Sequence, residues 1–245
     1  MKIKILASGS KGNCYIIKSP TGTLIIEAGI KYKDILQGLN FHLDDVVGAL
    51  VSHAHLDHSK SAKDLMGAGI DIYSNAETFQ ALNLTGHRTN IIEPLKQLYI
   101  GDFKVIGFPI EHDVPGLGYL IQYAPTGERL LFLTDSYYSK YKFKGLNYIL
   151  IECNYIKETL DANIENGYID QAMKPRLLQS HFSLENVKGF LKINDLSECR
   201  EIILLHLSDR NSDANQMIRE IEELTGITPK VADKGLTLEL NMFPY

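Results

Sequence analysis

Short apolar runs rich in Ile, Val, Leu, Tyr and Phe alternate with Gly, Asn and Pro punctuation through the first half of the chain. Residues 2–8, 14–18 and 23–28 read as consecutive strands joined by tight turns. Ser8-Gly9-Ser10-Lys11-Gly12-Asn13 links the first two, and Pro20-Thr21-Gly22 the next. Further strands are expected over 46–52, 70–74, 103–111, 118–123 and 129–134. Helices are expected over 31–39, 61–66 and 76–82, the last capped by Asn75. The second half opens with an apolar strand at 147–153 and then changes texture. Residues 156–179 are polar and mostly helical, broken by Gly167 and Pro175. Ser183 caps a helix to Leu191, residues 201–207 form a dense apolar strand, and an amphipathic helix covers 213–224. Strands at 231–233 and 236–240 close the pattern. Strands followed by helices, twice, with no Pro/Gly/Ser linker, predict one domain over residues 1–245: two β-sheets flanked by helices.

Composition narrows the class. The chain has 245 residues, is 44% hydrophobic and 22% charged, and carries a formal net charge of −5. Collagen-like, coiled-coil and disordered classes are excluded. An acidic balance argues against a surface that is everywhere a nucleic-acid trap, but a local basic groove remains open. Three scattered Cys build no disulfide framework. No apolar run reaches the roughly 18–20 residues of a membrane span. Met1-Lys2-Ile3-Lys4 runs straight into a strand pattern, so no signal peptide and a cytoplasmic setting are expected.

The strongest chemical signal is Ser52-His53-Ala54-His55-Leu56-Asp57-His58, directly after an apolar strand. Three imidazoles and a carboxylate in six residues suit zinc or a related divalent ion. In an extended segment residues two apart point the same way, so His53 and His55 can share one ion. Asp57 and His58, past the bend, can turn towards a second. The plainer alternative is a polar loop whose His side chains cap a helix. A local cluster cannot complete two shells, and three further candidates stand at the carboxyl ends of apolar strands: His112, Asp135 and His206.

His53-Ala54-His55-Leu56-Asp57-His58, followed in order by His112, Asp135 and His206, resembles the metallo-β-lactamase-fold superfamily across essentially the whole chain. That resemblance implies an αββα sandwich of two mixed β-sheets flanked by helices, with a binuclear metal site at one edge. It assigns His53, His55 and His112 to one ion and Asp57, His58 and His206 to the other, with Asp135 between them. Zinc, manganese or iron fits such ligands. Ser8-Gly9-Ser10-Lys11-Gly12-Asn13, Leu133-Thr134-Asp135, Ile151-Glu152-Cys153-Asn154 and Leu205-His206-Leu207-Ser208 look like the YycJ-type (WalJ-like) subgroup, associated with exonuclease activity on DNA. Ser180-His181-Phe182-Ser183 resembles a motif of that subgroup and of the tRNA 3′-processing nucleases. One departure stands out: Ile26-Glu27-Ala28-Gly29 carries Glu where the superfamily usually has Asp, a position that orients the His loop.

The resemblance implies a metal-dependent phosphodiester hydrolase, a nuclease on DNA or RNA, in which metal-activated hydroxide attacks phosphorus. Asp57 would orient the nucleophile besides serving as a ligand, and His181 would protonate the departing 3′ oxygen or hold the phosphate. His181 is equally readable as a solvated residue at a helix start. Ser10 and Asn13 in the Gly-rich turn are candidate contacts to an anionic substrate, or simply a hairpin that needs Gly and Asn. Lys140 and Lys142, interleaved with Tyr and Phe, suit a single-stranded nucleic acid, or form a solvated edge. The helical insertion at 156–182 is expected over or beside the active site, as a lid or a homodimer surface. A small-molecule hydrolase acting on an ester, thioester, lactone or cyclic nucleotide is the alternative, and a metal-retaining binding module a third. Two bound divalent ions would lift the net charge to about −1, so charge does not discriminate against a phosphodiester.

Overall fold

The computed structural model describes residues 1–240. In chain order its elements are β1 (Lys2–Ala7), β2 (Cys14–Ser19), β3 (Gly22–Ile26), α1 (Tyr32–Gly38), β4 (Val46–Leu50), α2 (Leu56–Ser59) and α3 (Ala62–Gly67). Then come β5 (Ile72–Ser74), α4 (Ala76–Ala81), β6 (Thr89–Ile91), β7 (Gln97–Ile100), β8 (Phe103–Pro109), β9 (Leu117–Tyr123) and β10 (Arg129–Leu133). The chain continues with β11 (Tyr148–Glu152), α5 (Lys157–Glu165), α6 (Lys174–Ser180), α7 (Leu184–Ile193), β12 (Glu201–Leu205), α8 (Ala214–Thr225), β13 (Lys230–Val231) and β14 (Thr237–Glu239). The strands form two mixed β-sheets flanked by helices, as the strand–helix alternation predicts.

Two compact units are distinguished, residues 1–109, 114–128 and 232–240 forming the first, and 110–113 with 129–231 the second. In the first, β14-β1-β2-β3-β4-β5-β6 lie side by side. β1, β2 and β3 pair antiparallel, whereas β3 to β6 run parallel. Helices α1 and α3 bury Ile35 and Leu65 among Cys14, Ile25, Ala49 and Val51 on one face of this sheet. β7, β8 and β9 form an antiparallel run. In the second unit β10, β11, β12 and β13 are all parallel. Their runs Leu-Leu-Phe-Leu, Ile-Leu-Ile and Ile-Ile-Leu-Leu are apolar without alternation, as expected of strands covered on both faces.

The insertion differs from its sequence reading in one respect. Gly167 does end a helix, following α5 at φ 72°. Pro175 does not break one; it stands in the first turn of α6, where the missing N–H costs nothing. Ser183 caps α7 through Asn186 N–H, and Asn75 caps α4 through Thr78 N–H, both as expected. The strands β6 and β7 were not anticipated.

Candidate metal centre

In the first unit the His-rich segment is less extended than its spacing suggests. His53 continues from β4, but Leu56–Ser59 is already a helical turn capped at His55. The helix expected over 61–66 is α3; the short turn α2 precedes it, and Asp57 and His58 ride on that turn. His53 Nε2 and His55 Nδ1 still converge to 3.1 Å. Two nitrogens bound at about 2.0–2.1 Å to one tetrahedral zinc would stand about 3.3–3.4 Å apart. Ser52 Oγ engages the other His53 nitrogen at 2.9 Å, the kind of partner that orients a metal-binding imidazole. This donor set therefore fits a divalent ion.

Two segments, residues 27–29 and the Gly-rich turn, hold that loop. Glu27 leaves β3 at φ 64° and is wholly buried. Its carboxylate accepts from Ser52 N–H at 3.2 Å and lies 3.5 Å from His58 Nδ1. Burial raises the Glu27 carboxyl above its ordinary value, although His58 and Ser52 pull the other way. Ala28 N–H donates to His58 O, and Gly29 N–H to Asn13 O. A Cβ on Gly29 would come within 1.6 Å of Asp57 O, so only glycine fits there. Asn13, expected at a substrate surface, is instead fully buried. Its amide oxygen accepts from Gly9 N–H, and its Nδ2 reaches Gly9 O, Asp57 O and His58 Nε2. Asn13 ties the Gly-rich turn to the His loop and has no face left for a substrate. Ser10 at the tip of that turn is exposed.

In the second unit the parallel register does the assembling. Leu133 is paired with Ile151, and Glu152 with Leu205, so the carboxyl ends of β10, β11 and β12 lie level. Asp135 and His206 leave their strands at φ 47° and 51°, conformations uncommon for non-Gly residues and characteristic of functional sites. This is why the strand at 201–207 stops two residues early. Donor atoms of Asp135, Glu152, His181 and His206 all lie within 4.8 Å of one another. His206 Nδ1 is 2.9 Å from Asp135 Oδ1 and 3.0 Å from Glu152 Oε1. His181 Nδ1 is 2.7 Å from Glu152 Oε1. Glu152 Oε2 is anchored by Ser136 and Phe182 N–H groups, leaving Oε1 to both imidazoles. Carboxylate and imidazole donors at this spacing suit zinc, manganese or iron. Nearby, His112 Nδ1 meets Ser180 O at 3.0 Å, and its Nε2 lies 3.0 Å from Asp113.

Glu152 joins this donor group although Ile151-Glu152-Cys153-Asn154 by itself does not mark it as a ligand. The available signal was the one used for Asp135 and His206, a polar residue at the end of an apolar strand. In the Lys/aromatic stretch the lysines face solvent and the aromatics are mixed, Tyr138 being exposed. Lys140, Lys142 and Lys144 are exposed, Tyr141 and Phe143 are half-buried, and Phe143 packs on Phe190 at 6.2 Å.

The charges are strongly coupled. Burial disfavours the His206 imidazolium, but Asp135 and Glu152 outweigh it and raise His206 to about 10. The same balance, led by Glu152, raises His181. Glu152 is lowered in spite of its burial, because His181 draws its charged form. Burial lowers His112, favouring the neutral imidazole that binds metals. A raised His206 stabilises the metal-free fold fully below the unfolded value of about 6.5, and that contribution is lost as pH rises through about 10. Thermal unfolding in chelator should therefore show Tm falling from pH 7 to 10, about 2–4 °C per kcal/mol of coupling lost. The fall should be shallower in His206→Gln; equal slopes would refute the coupling.

Comparison with known proteins agrees with this geometry. The family profile of the metallo-beta-lactamase superfamily matches residues 7–135, just over half of the chain. The exodeoxyribonuclease WalJ of Streptococcus pneumoniae is 27% identical over 260 residues, covering 99% of this chain and 93% of that protein. The exodeoxyribonuclease YycJ of Bacillus anthracis is 27% identical over 230 residues, covering 86% and 84%. The crystal structure of the metallo-beta-lactamase fold protein YhfI from Bacillus subtilis superposes with a TM-score of 0.71 at 17% identity, covering 97% of this chain and 99% of that one. With its His-rich loop, its level strand ends and a profile match that runs through both His53–His58 and Asp135, the chain belongs to the metallo-β-lactamase superfamily of hydrolases.

Proposed function

We propose that the protein is a binuclear metal-dependent phosphodiesterase that degrades nucleic acid, an exonuclease on DNA. The ligand assignment follows the superfamily pattern: His53, His55 and His112 for one ion, Asp57, His58 and His206 for the other, and Asp135 for both. Bound there, divalent ions polarise a phosphodiester and bring the pKa of water towards neutrality. Asp57 orients the attacking oxygen, and His181 protonates the departing 3′ oxygen.

The observation that carries this reading is the His181–Glu152 contact at 2.7 Å beside Asp135 and His206. A sugar alkoxide is a poor leaving group and needs a proton, whereas a thiolate, with a thiol pKa of about 8.5, leaves far more readily without one. An imidazole held by a buried carboxylate is thus built for an alkoxide. A cavity of about 740 Å³ bordered by His112, Tyr137, Arg176 and Gln179 supplies room for a nucleotide, and Arg176 suits a phosphate. α6 of the insertion forms much of its wall, in keeping with a substrate-facing role for 156–182. The names of the two exodeoxyribonuclease relatives favour DNA over RNA. No helix among the described residues is long and apolar enough to cross a membrane.

The test is metal analysis, followed by incubation of the metal-loaded protein with labelled single- and double-stranded DNA, RNA, bis-p-nitrophenyl phosphate and a thioester. Two metals per chain and release of nucleotides from DNA ends are expected. Turnover confined to the thioester would overturn the phosphodiesterase reading.

A further inference from the structure

We propose that the first unit carries an accessory groove for single-stranded nucleic acid, floored by Lys2, Lys4 and Lys18, with Phe41 next in the chain to its lining residue Asn40; this rests on the nucleic-acid reading above. The groove is a cavity of about 330 Å³ where the sheet extends beyond the end of α1, with Asn40 and Thr23 also lining it. On β1 and β2 the residues that meet the helices are apolar at Leu6, Cys14 and Ile16, and become Lys where helix cover ends.

Two features mark this lysine floor as more than a solvated edge. Lys2 and Lys18 are directly paired in the antiparallel register, an arrangement in which like charges repel. Lys2 pairs with Glu239 at 2.6 Å, and Lys18 with Asp45, which itself lines the cavity, at 3.3 Å. These are solvent-exposed ion pairs, weakly held, and yield readily to a phosphate. Lys4 points into the same cavity and donates to Gly38 O at 2.9 Å.

The second feature is the backbone at the groove's lip. Asn40 and Phe41 both adopt left-handed conformations, φ 52° and 61°. For a bulky aromatic this is a strained outlier. The strain is held by Asn40 N–H to Gln37 O and Phe41 N–H to Leu36 O. It turns the Phe41 ring outward, 64% exposed, while Leu39 two residues before it is buried. An exposed ring one residue from the lining residue Asn40, with ammonium groups on the cavity floor, is a combination that can stack a base and meet its phosphate.

The groove lies in the same unit as the His53–His58 loop. From Lys4 to Gly9, in the turn after β1, is five residues, at most about 17 Å, and a stacked strand covers that in about five nucleotides. The groove therefore serves oligonucleotides longer than about five residues and is irrelevant to shorter ones.

The test uses metal-loaded protein and fluorescein-labelled phosphorothioate oligothymidylates of three and twelve nucleotides, read by anisotropy across a salt series. In Lys2→Gln/Lys18→Gln the twelve-mer should bind about tenfold more weakly, with the log–log salt slope shallower by about 1.4. Phe41→Ala should weaken it about fivefold or more. The three-mer and the hydrolysis of bis-p-nitrophenyl phosphate should be unchanged, which also shows that the variants fold. Unchanged twelve-mer affinity in both variants overturns the proposal. So does a lysine effect without a Phe41 effect, with inorganic polyphosphate competing equally, because that describes a generic anion pocket. If the parent protein binds the twelve-mer with these sensitivities but cuts no DNA, the nuclease reading fails while the groove stands.

Discussion

Replacing His181 by alanine is expected to slow hydrolysis of DNA by about 10²–10⁴ while leaving the metal content intact. The argument rests on what the side chain faces. His181 Nδ1 is held by Glu152 at 2.7 Å, and the side chain remains 19% exposed, so its other nitrogen can reach a substrate. The pairing favours the protonated ring, the form required of a proton donor. The loss should depend on the leaving group. p-Nitrophenolate is a stable anion that departs without a proton, so bis-p-nitrophenyl phosphate should lose less than about tenfold. Glu152→Gln should act through His181: it keeps the imidazole but removes the charge that raises it. The alkaline limb of kcat against pH, where the acid loses its proton, should then move to lower pH. Equal losses on both substrates, together with a lost metal, would make His181 a ligand instead.

Asp135→Asn should reduce bound metal from two ions to one and cut turnover by about 10²–10³, as loss of several kcal/mol of charge stabilisation requires. Asparagine is chosen because position 135 sits at φ 47°, which Asn tolerates and Ala does not, so the backbone survives the change. It also keeps an oxygen for Thr134, whose hydroxyl donates to Asp135 at 3.1 Å. Metal content read by plasma emission spectrometry decides the outcome. Two ions per chain in the variant would remove Asp135 from the metal set.

Much of this architecture was legible from local pattern. Apolar runs marked β1 to β4 and β10 to β12, and Asn75 and Ser183 announced their helices by side chains that cap them. The strands β6 and β7 escaped because neither has the pattern of a strand. Thr89–Ile91 is three residues long, and Gln97–Ile100 owes its extension to its ladder with β8, from Gln97 opposite Ile106 to Ile100 opposite Phe103. Pairing of that kind overrides local preference. The strand at 23–28 ended early for a reason of the opposite kind: Glu27 turns to a positive φ to reach Ser52 and His58.

The candidate site divides in the same way. His53, His55, Asp57 and His58 were legible because valence preference and close spacing are properties of the chain itself. Glu152 has its meaning only beside residues 29 and 54 positions away, and Asn13 beside one 44 away. A Gly-rich turn with an Asn reads as an open anion cradle until the amide is seen spent on Asp57 and His58.

The sequence by itself determined which donor atoms the protein owns, and the order in which strands and helices present them, because side-chain chemistry and hydrophobic period are local. Only the tertiary structure decided that Glu152 stands between His181 and His206, that Asn13 is buried, and that three lysines share one cavity whose lining residue Asn40 precedes a strained aromatic. Each depends on the register of strands far apart in the chain, and register is set by the burial of a whole sheet face rather than by any residue acting alone.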